Sequence, residues 1–177
     1  MLVNIVYIAT SLDGYIATKD GGIDWLHEAP NPTGEDFGFS KFMDGIDALI
    51  MGRKTYEAVL SFDTEWPYKK KVFVLSRSLK DVDIALKGKA EIINGEIKEI
   101  ISRLNEKGYK NLYIDGGETV QSFLEESLID ELIITKIPII LGSGIPLFTE
   151  LKASQKFEHI ETSEFSGMVK SHYKKIK

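Results

Sequence analysis

Residues 51–57 read Met-Gly-Arg-Lys-Thr-Tyr-Glu, and this stretch says more about the fold than any other. The apolar run Ala48-Leu49-Ile50 before it is predicted to be a buried strand. The glycine then permits a sharp turn into a predicted helix that opens with Arg53, Lys54 and Thr55. A helix start exposes unpaired N–H groups and attracts phosphate, and basic side chains add to that attraction. The alternative is a helix whose basic residues only face solvent.

The length and composition indicate one domain, over residues 1–177. The chain has no cysteine, which excludes disulfides, thiolate zinc sites and cysteine nucleophiles, and which is consistent with a cytoplasmic protein. A formal net charge of −5 argues against a general nucleic-acid or membrane-surface binder. The amino terminus lacks a basic n-region, and no apolar run is long enough to span a bilayer.

Strands and helices alternate along the chain, which predicts an α/β fold with a mixed, mainly parallel sheet flanked by helices. Strands are predicted at 2–9, 48–51, 71–75, 90–94, 111–114 and 130–140. Helices are predicted to begin at Glu35 and Arg53 and to cover 97–107 and 117–126. The tail, 157–165 and 168–176, is predicted to be an antiparallel hairpin. Residues 28–34, with Pro30, Pro32 and Gly34, are predicted to be irregular.

Three polar segments follow predicted strands, at the strand ends where open α/β sheets bind ligands. They are residues 52–55, Ser76-Arg77-Ser78, and residues 115–119, which read Asp-Gly-Gly-Glu-Thr. Taken singly, each is more typical of an ordinary turn. Together they favour a dinucleotide that carries an extra phosphate. None fits Gly-x-Gly-x-x-Gly, and residues 11–14 after the first strand do not either, so a conventional Rossmann site is not predicted.

The same segments resemble the dihydrofolate reductase superfamily, and specifically the reductase domain of bacterial riboflavin biosynthesis. The resemblance covers nearly the whole chain, at residues 11–17 (SLDGYIA), 51–57, 72–77 (VFVLSR), 114–117 (IDGG) and 141–148 (LGSGIPLF). Residues 51–57 match the most specific signature, and residues 141–148 are typical of the riboflavin branch. The resemblance implies a three-layer dihydrofolate reductase-like fold.

The resemblance implies NADPH as the hydride donor. It implies that Arg53 holds the 2′-phosphate, with Ser76 and Arg77 beside it. The other implied cofactor contacts are Gly52, Lys54 and Thr55 at the first helix start, Gly116, Gly117 and Thr119 at the second, and Ala9 and Ile16 at the nicotinamide.

The resemblance also implies a catalytic pair. Asp36 lies fifteen residues before Met51, the interval at which folate reductases place their single carboxylate, and Thr135 matches the strand threonine that partners it. Neighbouring aromatic residues such as Phe37 predict a partly desolvated carboxyl with a raised pKa. The alternative is a surface acid at a helix start.

Trp25 and Phe39 are predicted to contact substrate, with plain core as the alternative for Trp25. Folate reductases keep an arginine where this chain has residues 68–71, Tyr-Lys-Lys-Lys, which argues against dihydrofolate. Those lysines either bind a substrate phosphate or are a solvated run. Asp115 replaces the glycine that usually precedes the Gly-Gly pair.

The predicted function is therefore an NADPH-dependent reductase of a small heterocycle, with an aminopyrimidine of the riboflavin route ranked above a pterin. A reductase of unrelated substrate and a non-catalytic NADPH-binding sensor or scaffold are the alternatives. The zinc deaminase motif that is fused to many such reductases does not occur in this sequence. The three histidines lack metal-ligand spacing, so no metal site is predicted. Kinship implies a homodimer formed through residues 132–140 and the final hairpin.

Overall fold

A computed structural model describes residues 2–28, 31–32, 34–62 and 64–176. Its ten strands are β1 (Val3–Thr10), β2 (Tyr15–Ala17), β3 (Ala48–Gly52), β4 (Lys71–Leu75), β5 (Ala90–Ile93), β6 (Asn111–Asp115), β7 (Glu131–Lys136), β8 (Ile145–Pro146), β9 (Phe157–Phe165) and β10 (Met168–Lys175). Its α-helices are α1 (Phe39–Asp44), α2 (Arg53–Ser61), α3 (Ile97–Glu106) and α4 (Gly117–Glu125). Short 3₁₀ turns cover Asp24–Leu26 and Ile84–Leu86.

Eight strands form one sheet in the order β5-β4-β3-β6-β1-β7-β10-β9. The strands from β5 to β7 in this order run parallel, whereas β10 runs antiparallel to both β7 and β9. The predicted α/β class, the mixed and mainly parallel sheet and the antiparallel hairpin at the end of the chain are thus confirmed. β2 and β8 form a separate two-stranded sheet.

The apolar run in β3 is buried on both faces of the sheet, which is why it does not alternate with polar residues. Ile50 packs into a core with Phe73 and Phe123, on the side of α3 and α4. Its neighbours Leu49 and Met51 point the other way, into the core on the side of α1 and α2. Two cores separated by one sheet make three layers, as predicted.

Two predicted elements have bounds that differ from the structure by more than one residue at an end. The helix expected from Glu35 begins only at Phe39, because Phe37 (φ 53°) and Gly38 (φ 84°) both adopt left-handed backbone conformations that cannot continue a helix. The strand expected to reach residue 140 ends at Lys136, since Pro138 follows and has no N–H to donate.

Part of the opening loop is also ordered in a way that glycine content did not predict. Tyr15–Ala17 pairs with Ile145–Pro146 as β2 and β8. Pro30, in the stretch predicted to be irregular, lies outside the described residues. Within the described ranges no helix has both the length and the apolarity to cross a bilayer.

Candidate active site

The strand register brings the three polar segments to adjacent positions on one edge of the sheet. Gly52 in β3 is level with Leu75 in β4, and Met51 is level with Asp115 in β6. The residues that directly follow these strands therefore lie at neighbouring strand ends. They are Arg53, Ser76 and Gly116. This is the carboxyl edge, where ligands bind in open α/β sheets.

The starts of α2 and α4 lie against each other. A Cβ on Gly116, whose φ is 86°, would collide with the Thr55 hydroxyl. A Cβ on Gly52 would lie 3.0 Å from the Thr119 hydroxyl oxygen. Neither N-cap residue, Gly52 or Gly116, provides a side-chain cap. The first-turn N–H groups of both helices thus form a backbone cradle without side-chain caps.

The opening loop closes one side of this cradle. Ile16 of β2 lies so close to Gly117 that a Cβ there would meet the Ile16 side-chain methyl. The same Cβ would lie 3.9 Å from a methyl of Ile145 in the partner strand β8. Only glycine fits at position 117 without a shift of Ile16, so the paired glycines are explained by close packing.

The basic residues of the cradle are solvent-exposed and already paired with acids. The Arg53 guanidinium lies 3.1 Å from the Glu57 carboxylate one turn along α2, and the Lys54 ammonium lies 2.5 Å from Glu118 at the start of α4. Exposed pairs of this kind are weak, so an incoming phosphate competes for these cations at little cost.

Ser76, by contrast, is buried, and its hydroxyl has a structural role at the end of β4. Its hydroxyl oxygen accepts hydrogen bonds from the backbone N–H groups of Ser78 and Leu79, at 3.2 and 3.0 Å. These bonds hold the turn after β4 in place. Arg77 is exposed beside it.

A cavity of about 380 Å³ opens next to the cradle, where β1 and β7 end. This is the size of a small-molecule site. Ala9 of β1 is level with Thr135 of β7, and both line the cavity. The complete lining is Tyr7, Ala9, Leu26, His27, Asn31, Asp36, Phe37, Phe39, Thr135, Ile137 and Met168.

Asp36 stands exposed at this cavity and does not have the expected raised pKa; that prediction was wrong. Hydrogen bonds from Ser40, with a further one from the Gly38 backbone, hold the pKa of Asp36 below its ordinary value, and Lys170 adds an electrostatic contribution. The N–H groups of Gly38 and Ser40 lie 2.9 Å from the two carboxylate oxygens. Because α1 starts after Asp36, the carboxylate faces the helix start and solvent instead of an apolar interior.

Asp115, directly below the Gly-Gly turn, has the opposite environment. Burial raises the pKa of its carboxyl above the ordinary aspartate value. One carboxylate oxygen accepts the Gly116 N–H at 2.8 Å, and the other accepts the Tyr68 hydroxyl at 3.4 Å. The replacement of a glycine by Asp115 thus adds a half-buried acid that holds the turn in place.

The lysine run 69–71 does not approach the cavity. Lys71 is the first residue of β4 and is level with Ala48 at the start of β3, so it lies at the edge of the sheet opposite the cavity. Its ammonium lies 3.3 Å from the Glu91 carboxylate. The prediction that this run binds a substrate phosphate therefore has no geometric support.

Comparison with known proteins agrees with this geometry. The model of the RibD C-terminal domain matches residues 4–170.

The chain belongs to the RibD C-terminal domain family.

Two relatives of similar length have high sequence identity to this RibD C-terminal domain protein. A crystal structure of a putative riboflavin biosynthesis protein from Shewanella sp. PV-4 is 48% identical, with a TM-score of 0.96 over 99% of this chain and 100% of that one. The uncharacterized protein YwjB of Bacillus subtilis (strain 168) is 42% identical over 174 residues, 96% of this chain and 95% of its own length.

A more distant similarity shows the breadth of the fold. Dihydrofolate reductase from Enterococcus faecalis is 19% identical, with a TM-score of 0.67 over 99% of this chain and 97% of that one. The RibD C-terminal domain of this chain therefore has the dihydrofolate reductase-like fold that its sequence resembles.

Within this RibD C-terminal domain, the predicted substrate residues occupy different positions. Phe39 lines the cavity. Trp25 is buried and does not line it; it packs with Ile137 and Met168, which do. Trp25 therefore supports the cavity wall from behind, which agrees with its alternative interpretation as core.

Sequence reasoning missed two residues that shape the cavity of this RibD C-terminal domain. The Tyr7 hydroxyl donates a hydrogen bond of 2.8 Å to the Phe37 carbonyl oxygen, and the Lys170 ammonium donates one of 2.7 Å to the same oxygen. In the sequence, Tyr7 is one residue of an apolar strand pattern, and Lys170 is one residue of the alternating pattern that predicts β10. Neither pattern indicates a role at the cavity. Only the position of Lys170 on the strand next to Thr135 could have indicated its role.

Proposed function

We propose that this protein is an NADPH-dependent reductase that transfers a hydride to a C=N or C=O bond of a small nitrogen heterocycle. One observation carries the proposal: two helix starts without side-chain caps meet at Gly116 and Thr55, directly beside a cavity whose wall includes Ala9. A backbone cradle for phosphates next to a pocket for a ring is the arrangement that a nicotinamide dinucleotide needs.

The residues of the cradle fit the parts of NADPH. Arg53 and Arg77 on neighbouring strand ends would hold the 2′-phosphate, with the hydroxyl of Ser76 beside them. The N–H groups at Lys54 and Thr55, and those at Gly117 and Thr119, would hold the pyrophosphate.

The space for the nicotinamide follows from the same contacts. Ala9 lines the cavity and Ile16 packs on Gly117 of the cradle, so we assign the nicotinamide ring to the region between these two residues. The dihydrofolate reductase that shares the fold was solved with NADP(H), which supports this assignment.

The bound cofactor supplies the hydride. Asp36 is ionised at neutral pH because its pKa is lowered. It therefore accepts hydrogen bonds from substrate N–H groups and does not donate the proton that the reduction requires. Thr135, buried in the opposite wall, orients the substrate from the other side. Water at the exposed mouth of the cavity supplies the proton.

The family favours an aminopyrimidine core of the kind found in 5-amino-6-(5-phosphoribosylamino)uracil as the substrate. A dihydropterin is the second candidate, because Asp36 and Thr135 face one cavity as the folate-reductase resemblance implies. Both are planar rings that present N–H groups.

Cofactor titration tests the proposal. The fluorescence of Trp25 and Trp66 would be followed while NADPH or NADH is added. Clear preference for NADPH is expected, and equal affinity for both would contradict the assignment of Arg53. NADPH oxidation with the aminopyrimidine and the dihydropterin would then separate a reductase from a non-catalytic sensor, which would bind NADPH but not oxidise it.

We also propose a cytoplasmic homodimer. β9 is at the edge of the sheet, and Ile160 and Val169 on the hairpin are 47% and 41% exposed. Unprotected edge strands are usually covered by another chain or element. Light scattering on the purified protein should give a molar mass twice the 19.9 kDa of one chain. A monomer at every concentration would contradict the dimer.

A further inference from the structure

We infer that the substrate of this cavity is an unphosphorylated nitrogen heterocycle that carries N–H donors and no anionic substituent. This inference rests on the proposed reductase function and narrows its substrate class. It departs from 5-amino-6-(5-phosphoribosylamino)uracil itself, which carries a phosphate.

The cavity has no basic side chain of the lysine or arginine type among the described residues that line it. The residues between 28 and 34 that are not described are Ala29, Pro30 and Thr33, which are also uncharged. A bound phosphate normally requires cationic or backbone N–H partners. His27, exposed at the rim, is the one lining residue among those described that can gain a positive charge.

The Lys170 ammonium is bound to the backbone of the cavity wall. Lys170 donates to the Phe37 carbonyl oxygen at 2.7 Å and lies 4.8 Å from the centre of the Phe165 ring. Lys170 is not a lining residue, whereas Phe37 and Tyr7, which it contacts, both line the cavity. Freeing this ammonium for a substrate phosphate would remove a hydrogen bond from a backbone segment with left-handed geometry.

The other basic residues named for phosphate binding lie elsewhere on the sheet. Arg53 and Arg77 leave β3 and β4, whereas the cavity is at β1 and β7, on the other side of β6. Lys71 lies at the opposite edge. Arg53 and Arg77 thus lie on the part of the carboxyl edge suited to the cofactor, and no lysine or arginine lines the cavity among the described residues.

The charge that does face the cavity is negative. Asp36 is exposed and accepts two backbone N–H groups, yet a carboxylate has about four acceptor positions, so it retains capacity for ligand N–H donors. An anionic substituent in the same cavity would be repelled by this carboxylate. Tyr7, Phe37 and Phe39 supply aromatic surface that suits a planar ring.

Matched ligand pairs test the inference. With the protein saturated with NADP⁺, calorimetry would compare 5-amino-6-ribosylaminouracil with its 5′-phosphate, and 6-methyl-7,8-dihydropterin with 7,8-dihydrofolate, which adds carboxylates. We expect the member without the anionic group to bind at least about tenfold tighter, a difference of about 1.4 kcal/mol, in each pair that binds. Equal or tighter binding of an anionic member, or no binding by any of the four, would overturn the inference.

A gain-of-charge variant locates the effect in the cavity. His27→Arg adds a permanent cation at the rim and should reduce the discrimination against the 5′-phosphate by about tenfold. His159→Arg adds the same charge on exposed β9 and should leave discrimination unchanged. Equal effects of the two variants would contradict a cavity-specific cause. NADPH titration without heterocycle is independent of this result, so failure of the cofactor proposal would be seen separately.

Discussion

Lys170 of β10 donates a hydrogen bond of 2.7 Å to the carbonyl oxygen of Phe37, 133 residues away in the chain. Tyr7 donates to the same oxygen from β1. Burial raises the pKa of Tyr7 to about 12, so its hydroxyl remains a donor at any physiological pH. Two strands thus hold Phe37, the first of the two residues between Asp36 and the start of α1.

Removal of the Lys170 charge should therefore affect both the position and the titration of Asp36. Lys170 lowers the pKa of Asp36, so Lys170→Met should raise that pKa. An activity that needs ionised Asp36 is lost as pH falls through its folded pKa, and the acid limb of the kcat/KM profile should move to higher pH. The free energy of unfolding should fall by about 1.5–3 kcal/mol, the scale of one charged hydrogen bond.

Lys170→Arg keeps a cation and a donor and serves as the matched control. It should restore most of the acid limb to its original position. A Lys170→Met variant that loses stability without any shift of the acid limb would show that Lys170 serves only the fold.

Arg53→Ala should separate the two cofactors. Loss of a charge-assisted contact to the 2′-phosphate should weaken NADPH by about 1.5–3 kcal/mol and leave NADH nearly unchanged. The pair between Arg53 and Glu57 is exposed, so its loss should cost stability only about 0.3–0.5 kcal/mol. The control is Arg103→Ala. Arg103 lies on α3, and its guanidinium donates a hydrogen bond to the Asn94 carbonyl oxygen. Parallel loss of NADPH and NADH affinity in Arg53→Ala would contradict the assigned role.

Gly116→Ala should damage the cradle for two reasons, a left-handed φ of 86° and a collision with the Thr55 hydroxyl. We expect a loss of about 2–4 kcal/mol in the free energy of unfolding. Gly108→Ala has a similar φ of 92° with no atom within 4 Å of the added Cβ, so it should show the backbone cost alone, about 1 kcal/mol. Thr55→Ala in the Gly116→Ala background should recover part of the difference. Equal losses in the two alanine variants would mean that Thr55 is not in contact.

Asp115→Asn should alter the dependence of stability on pH. Burial raises the folded pKa of Asp115, so its contribution to stability is fully present below the unfolded pKa and is lost as pH rises through the folded value. The asparagine keeps an acceptor for the Gly116 N–H and has no charge to bury. Chemical denaturation should show that the free energy of unfolding of the variant rises relative to that of the wild type as pH increases from acid to neutral. A constant difference across this range would exclude ionisation of Asp115 as the cause.

Local patterns were sufficient for most of the fold. The apolar runs of β3 and β4 and the glycines after β3 and β6 are short-range features whose physical meaning does not depend on the rest of the chain. Parallel pairing then carries these strand ends to one edge, because parallel strands all end on the same side. The cradle was therefore predictable from residues that lie far apart in sequence.

The cavity was less predictable because long-range contacts determine it. The left-handed turn at Phe37 is held by Tyr7 and Lys170, and no local pattern announces either bond. The pKa of Asp36 depends on where α1 begins, and the expected start at Glu35 was wrong. The identity of neighbouring phenylalanines indicated desolvation, whereas the turn exposes the carboxylate instead.

The central position of β1 has a kinetic consequence. Val3 pairs with Asn111 and Ile5 with Glu131, so β1 has no native partner in the sheet until β6 and β7 have been made. Such distant pairing slows folding and leaves apolar strands exposed in the meantime. We expect newly made chains to be prone to aggregation and to depend on chaperones until β6 and β7 emerge.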